Sequence, residues 1–80
     1  MIQVTAKYFA VFREQAGIEA EVLSTSVETA REFYAEVAIL HNFSDPVMNC
    51  KVAINDELAG WDSVISEGDE VLFFPPVAGG

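Results

Sequence analysis

One segment constrains the architecture more than any other. Val27, Ala30, Phe33, Tyr34, Val37 and Leu40 recur at helical spacing and form one apolar face. It is the only helical reading along the chain, so its stripe must be buried against something other than a second helix. The flanking segments read as strands. Ile2, Val4, Ala6 and Tyr8 alternate with Gln3, Thr5 and Lys7, the period of a half-buried strand. The phase is lost at Tyr8-Phe9-Ala10-Val11-Phe12, which marks a bulge or the strand's end. Gln15-Ala16-Gly17 supplies a turn, and Glu19 to Leu23 reads as a short second strand.

Beyond the helix, Cys50-Lys51-Val52-Ala53-Ile54 alternates and stops at Asn55-Asp56, and Ala59-Gly60 offers another turn. Ser66-Glu67-Gly68-Asp69 leads into Glu70-Val71-Leu72-Phe73-Phe74, a strongly apolar final strand. Gly68 is expected to take a positive backbone dihedral. The order strand, strand, helix, strand, strand excludes a helical bundle. It implies an α+β domain, a mixed sheet with one main helix packed across one face.

The helix limits carry their own signals. Thr25-Ser26-Val27-Glu28 has capping-box spacing, and the helix should end near His41-Asn42, before Ser44-Asp45-Pro46. Glu28, Glu32 and Glu36 follow one another four residues apart, and such like-charge pairs cost roughly 0.2–0.5 kcal/mol each in an isolated helix. The stripe reads as a solvated face or as a docking strip for a basic partner.

With 80 residues the chain is one domain, too small to wall a catalytic cleft on all sides, so a partner completes any site. One cysteine and one histidine exclude a disulfide framework and a metal cluster built from these residues, so no bound metal is expected. The longest apolar stretch, Val71 to Ala78, is far short of a bilayer span and contains two prolines. Met1-Ile2-Gln3-Val4 carries no secretory pattern, which makes the cytoplasm the expected compartment. A formal charge of −9 disfavours nucleic acid. The acidic surplus fits either a basic protein partner or simple solubility.

The end of the chain is the most informative segment. Residues 1–74 read as the folded body and 75–80, Pro75-Pro76-Val77-Ala78-Gly79-Gly80, as an extended, flexible tail. The prolines stop the strand, since neither can donate to a ladder, and favour extended geometry beyond it. Six extended residues reach at most roughly 20 Å. Gly79 and Gly80 lack side chains, so this end can enter a channel only as wide as a backbone. A terminal carboxylate is a poor acyl electrophile, because attack must expel an oxide. Joining it to AMP supplies a leaving group, and a sulfur nucleophile can then form a thiocarboxylate. The reactive group is then the chain's own end.

Several stretches carry a resemblance: Tyr8-Phe9-Ala10-Val11-Phe12-Arg13-Glu14, Val52-Ala53-Ile54-Asn55, and above all Gly68 to Gly80 with its Phe-Phe-Pro-Pro-Val lead-in. Over essentially its whole length the chain resembles the small, sulfur-carrying subunits of molybdopterin synthase, ubiquitin-like β-grasp carriers of the MoaD/ThiS group. The resemblance implies that an E1-like (MoeB-like) enzyme uses ATP to adenylate Gly80, and that a sulfurtransferase system converts the adenylate to a thiocarboxylate. The tail, Pro75 through Gly79, then enters a MoaE-like large subunit. There sulfur passes to cyclic pyranopterin monophosphate to build the molybdopterin dithiolene, usually in a heterotetramer. The resemblance thus implies the sulfur-donating part of a sulfurtransferase, not catalytic alone and with no cofactor of its own. By the same resemblance Phe9, Leu58 and Phe74 match apolar positions that contact the large subunit, and Arg13 a basic position near that surface. Each of the three apolar residues has a competing reading as core or edge packing. Thr5-Ala6 look like additional residues in the first strand compared with typical members.

Other side chains invite chemistry without supporting it. Cys50 reads as a small buried hydrophobe, and His41 lacks the motif of a hydrolase. Asp69 and Glu70 should point to opposite faces rather than form an acid–base pair. Trp61 reads as a cover for the open end of the core. Three further functions stay open: a carrier for thiamine or tRNA thiolation, a protein modifier conjugated through Gly80, and a non-catalytic acidic binding module.

Overall fold

A computed structural model describes residues 1–75; Pro76, Val77, Ala78, Gly79 and Gly80, the expected insertion segment and reactive end, lie outside the described residues. The chain forms β1 (Ile2–Tyr8), α1 (Val11–Ala16), β2 (Ala20–Thr25), α2 (Ala30–His41), a 3-10 turn (Val47–Asn49), β3 (Lys51–Ile54), β4 (Glu57–Ala59) and β5 (Glu70–Phe74). The strands make one sheet in the order β2-β1-β5-β3-β4. β1 and β5 run parallel at its centre, and the other pairings are antiparallel. This is the expected mixed sheet crossed by one main helix.

The core lies between that helix and one sheet face. Ala30, Phe33, Tyr34 and Val37 of α2 are buried against Val4 and Ala6 of β1, Val52 of β3, and Val71 and Phe73 of β5. Leu40, expected on the same stripe, is instead 56% exposed. Trp61 closes one end, its ring stacked on Phe73 and its Nε1 donating to the Cys50 carbonyl. Cys50 is buried beside Tyr34 and Pro46, as its reading as a small hydrophobe requires. Burial pushes its thiol pKa up, away from a reactive thiolate.

Two helix expectations are corrected. The helix begins at Ala30, and the capping box is formed by Thr29 and Glu32 rather than by Thr25 and Glu28. The Thr29 hydroxyl accepts from the Glu32 amide, and the Glu32 carboxylate accepts from the Glu28 and Thr29 amides. Those backbone bonds, from Glu28 and then Thr29, hold the Glu32 carboxyl below its ordinary pKa. Thr25 is drawn into the interior, where its hydroxyl donates to Glu36. So Glu32 and Glu36 are engaged in local structure rather than forming a bare charged stripe. The second correction is α1: the run from Tyr8 to Phe12 is a strand end followed by a short helix. Thr5 and Ala6 pair in unbroken register with Glu70 and Val71, so they add no bulge to β1.

Candidate functional site

Strand alternation determines which residues face away from α2. Val4, Ala6 and Tyr8 point inward, so Lys7 points outward; Val71 and Phe73 point inward, so Leu72 and Phe74 point outward. Register then aligns Ala20, Lys7, Leu72, Ala53 and Leu58 in one row across all five strands. Among the described residues no helix covers that face. A second row, nearer the chain's exit, places Phe74 opposite Lys51. Phe9 joins it, since its amide donates to the Phe73 carbonyl at 3.2 Å and thereby continues the β1–β5 ladder.

A strained turn presents Phe9. The Phe12 amide donates to the Phe9 carbonyl at 3.1 Å, closing a turn whose second residue, Ala10, has φ 53° and ψ −123°. These are type II′ values, which favour glycine. The turn drives Phe12 fully into the core and leaves Phe9 57% exposed. Leu58 is 74% exposed because its hairpin partner Ala53 is too small to cover it. That hairpin turns through Asn55 and Asp56, both at positive φ, the geometry of a tight two-residue loop. Phe74 is half-buried, and neither Phe9 nor Leu58 is a core side chain.

The fold therefore brings Phe9, Leu58 and Phe74 to one uncovered face and sets Arg13 at its rim. Arg13 pairs with Glu19 at 3.2 Å and lines a shallow hollow with Lys7, Phe9, Ala20 and Leu72. Sequence reading missed Leu72, Ala53 and Lys51 on this face. Their signal was available, since each alternates with a buried neighbour in its strand. β5 ends at Phe74, so the chain leaves the sheet for Pro75 at the edge of this apolar surface.

A second polar cluster lies on the helix side. The Glu21 carboxylate accepts from the Tyr8 hydroxyl at 2.6 Å and pairs closely with His41 Nε2. Burial opposes the Glu21 charge, but the bonds from Tyr8 and His41 and the histidine charge outweigh it and lower its pKa. Burial, then the bond to Glu21, drives the Tyr8 phenol well above its ordinary range. The cluster ties the end of α2 to β2 and is structural. Asp69 and Glu70 are separated as expected. Asp69 accepts from Asn55 and from the Ser66 amide, while Glu70 pairs with Lys7 at 3.4 Å. Among the described residues no group of His, Cys, Asp or Glu side chains could hold a metal ion.

The ThiS family matches residues 6–80, which includes the terminal glycines. The chain belongs to the ThiS family. Among its relatives is the molybdopterin synthase sulfur carrier subunit of Haemophilus influenzae, 37% identical over 76 residues that span 91% of this chain and 94% of that one. A putative molybdopterin converting factor subunit 1 from Pyrococcus furiosus superposes with a TM-score of 0.80 at 29% identity, covering 96% of this chain and 100% of the other. SAMP1 from Haloferax volcanii superposes with a TM-score of 0.79 at 25% identity, covering 98% and 99%. The ThiS-family body is thus a ubiquitin-like β-grasp domain.

Proposed function

We propose that this chain is the sulfur carrier subunit of a molybdopterin synthase. An ATP-using, E1-like enzyme adenylates the Gly80 carboxylate; a sulfurtransferase system replaces AMP with sulfide, leaving a terminal thiocarboxylate. The tail from Pro75 to Gly79 carries that group into a large partner subunit, where sulfur passes to cyclic pyranopterin monophosphate. The chain itself binds no cofactor and supplies no catalytic side chain. Phe9, Leu58 and Phe74 form the apolar centre of the docking face, with Arg13 at its rim. Residues 1–74 are the carrier body and 75–80 its delivery arm, working in the cytoplasm. Among the described residues no helix is long and apolar enough to cross a membrane.

The observation that carries this reading is the whole-length likeness to proteins named as sulfur carrier subunits, which coincides with an uncovered apolar face at the strand that leads into the Gly-Gly end. The test is a variant with one residue added after Gly80, assayed with activating enzyme, sulfur source and large subunit. It should fold normally and form no dithiolene product. Dithiolene formation by the extended chain would refute the proposal.

The likeness to SAMP1, whose core superposes equally well, favours one second reading: a protein modifier joined through Gly80 to target lysines. That reading predicts covalent higher-mass adducts in cells, abolished by removing Gly80.

A further inference from the structure

The chain has 4 basic side chains against 13 acidic ones, so where the cations sit is informative. Three of them border the open sheet face: Lys7 and Lys51 by register, Arg13 at the hollow beside Phe9. The chain's own carboxylates engage two of these, Glu70 holding Lys7 and Glu19 holding Arg13. The fourth cation, Arg31 on α2, is held by Asp62 at 3.2 Å. Lys51 is thus the one basic side chain with no carboxylate within ion-pair distance among the described residues. It is exposed, and it lies directly across the ladder from Phe74, the last residue of β5.

This placement has a physical consequence. A partner that covers Phe74 must also desolvate the neighbouring ammonium, and a buried, unpaired charge is strongly unfavourable. The chain's described carboxylates do not reach it, so the partner has to supply the acceptor. The long-range field points the other way: a net charge of −9 attracts basic surfaces, and Glu28, Glu32 and Glu36 contribute to it from the helix side. Of the three cations that border the open face, Lys7 and Arg13 are paired within the chain and Lys51 is not.

We propose that the partner seated on the open face presents a carboxylate to Lys51, beside the point where the chain leaves β5, and so meets this chain with an apolar centre and an acidic rim. The proposal rests on the reading of that face as the docking surface for the large subunit. The Lys51 pair sets register at the root of the tail, with Phe9, Leu72, Phe74 and Leu58 supplying contact area. A surface with a basic rim, which the overall charge alone would suggest, leaves Lys51 opposed by a like charge.

The experiment is a binding titration of the full-length chain against the purified large subunit across a salt series. The variants are Lys51→Ala, Lys51→Glu and, on the helix side, Glu28→Lys. Lys51→Ala should weaken binding about tenfold and flatten its salt dependence, and Lys51→Glu should weaken it further. Glu28→Lys should stay within about twofold. Thermal melts of each variant separate loss of docking from loss of fold. Equal or tighter binding by Lys51→Glu overturns the proposal. So does an effect of Lys51→Ala that disappears when Gly79 and Gly80 are deleted, because Lys51 would then serve this chain's own carboxylate. Failure of the wild-type chain to bind the large subunit overturns the functional reading itself, and this inference with it.

Discussion

Replacing Glu21 by Gln gives a stability change whose size and pH dependence both follow from the structure. The side chain is nearly isosteric, so the perturbation is chiefly loss of charge at an oxygen shared by Tyr8 and His41. The two members of the ion pair are only 14% and 21% exposed, so solvent screens the loss weakly. A hydrogen bond to a charged group contributes about 1.5–3 kcal/mol and a neutral one about 0.5–1.5 kcal/mol, so converting two bonds removes about 2 kcal/mol. In a domain of this size that lowers Tm by about 8–16 °C. The sign of the pH dependence follows from the lowered Glu21 pKa. The stabilisation is fully present above the ordinary carboxylate value of 4.5 and is lost as pH falls through the lower folded-state value. Urea unfolding followed by Trp61 fluorescence, on wild type and Glu21→Gln, measures the gap at neutral pH and below that window. A gap that persists unchanged in acid, or that never exceeds about 0.5 kcal/mol, refutes the charge-based account of the cluster.

Two further outcomes follow from the site. Ala10→Gly should raise stability by about 1 kcal/mol, because glycine adopts the turn's positive φ without strain; a destabilised variant in thermal melts contradicts this. Phe9→Asp and Leu58→Asp should melt within a few degrees of wild type, since both side chains are exposed, yet each should weaken large-subunit binding by tenfold or more in titration calorimetry.

The legible parts of this fold were those governed by a single local rule. Alternation of apolar residues located β1, β3 and β5, Gly68 has the positive φ its turn requires, and Trp61 covers the core end. The capping box was misplaced because two hydroxyl-x-x-Glu patterns follow one another directly, at Thr25 and at Thr29. Tertiary context chose between them: Thr25 is buried against Glu36, whereas Thr29 bridges to Val64 and is free to cap. α1 was hidden because its six residues are too few to repeat a helical period and its entry depends on a positive φ at an alanine. β4 was missed for a similar reason, being three residues whose pairing is set by the Asn55-Asp56 turn. The open face was half legible. Phe9, Leu58 and Phe74 came from family resemblance; alternation within each strand marks Lys51, Ala53 and Leu72 as outward-facing, but placing them beside one another takes the cross-strand register, which no single segment encodes. The Glu21–His41–Tyr8 cluster likewise joins residues far apart in sequence, so its members looked unrelated along the chain.

In the proposed function the chemistry resides in the terminal carboxylate of Gly80. Intact-mass spectrometry of the protein purified from cells that make molybdopterin tests it most directly. The expected result is a species in which one oxygen of Gly80 is replaced by sulfur, and which reverts to carboxylate on incubation with the large subunit and cyclic pyranopterin monophosphate. A chain recovered only as free carboxylate from cells that have an active sulfur source and activating enzyme contradicts it.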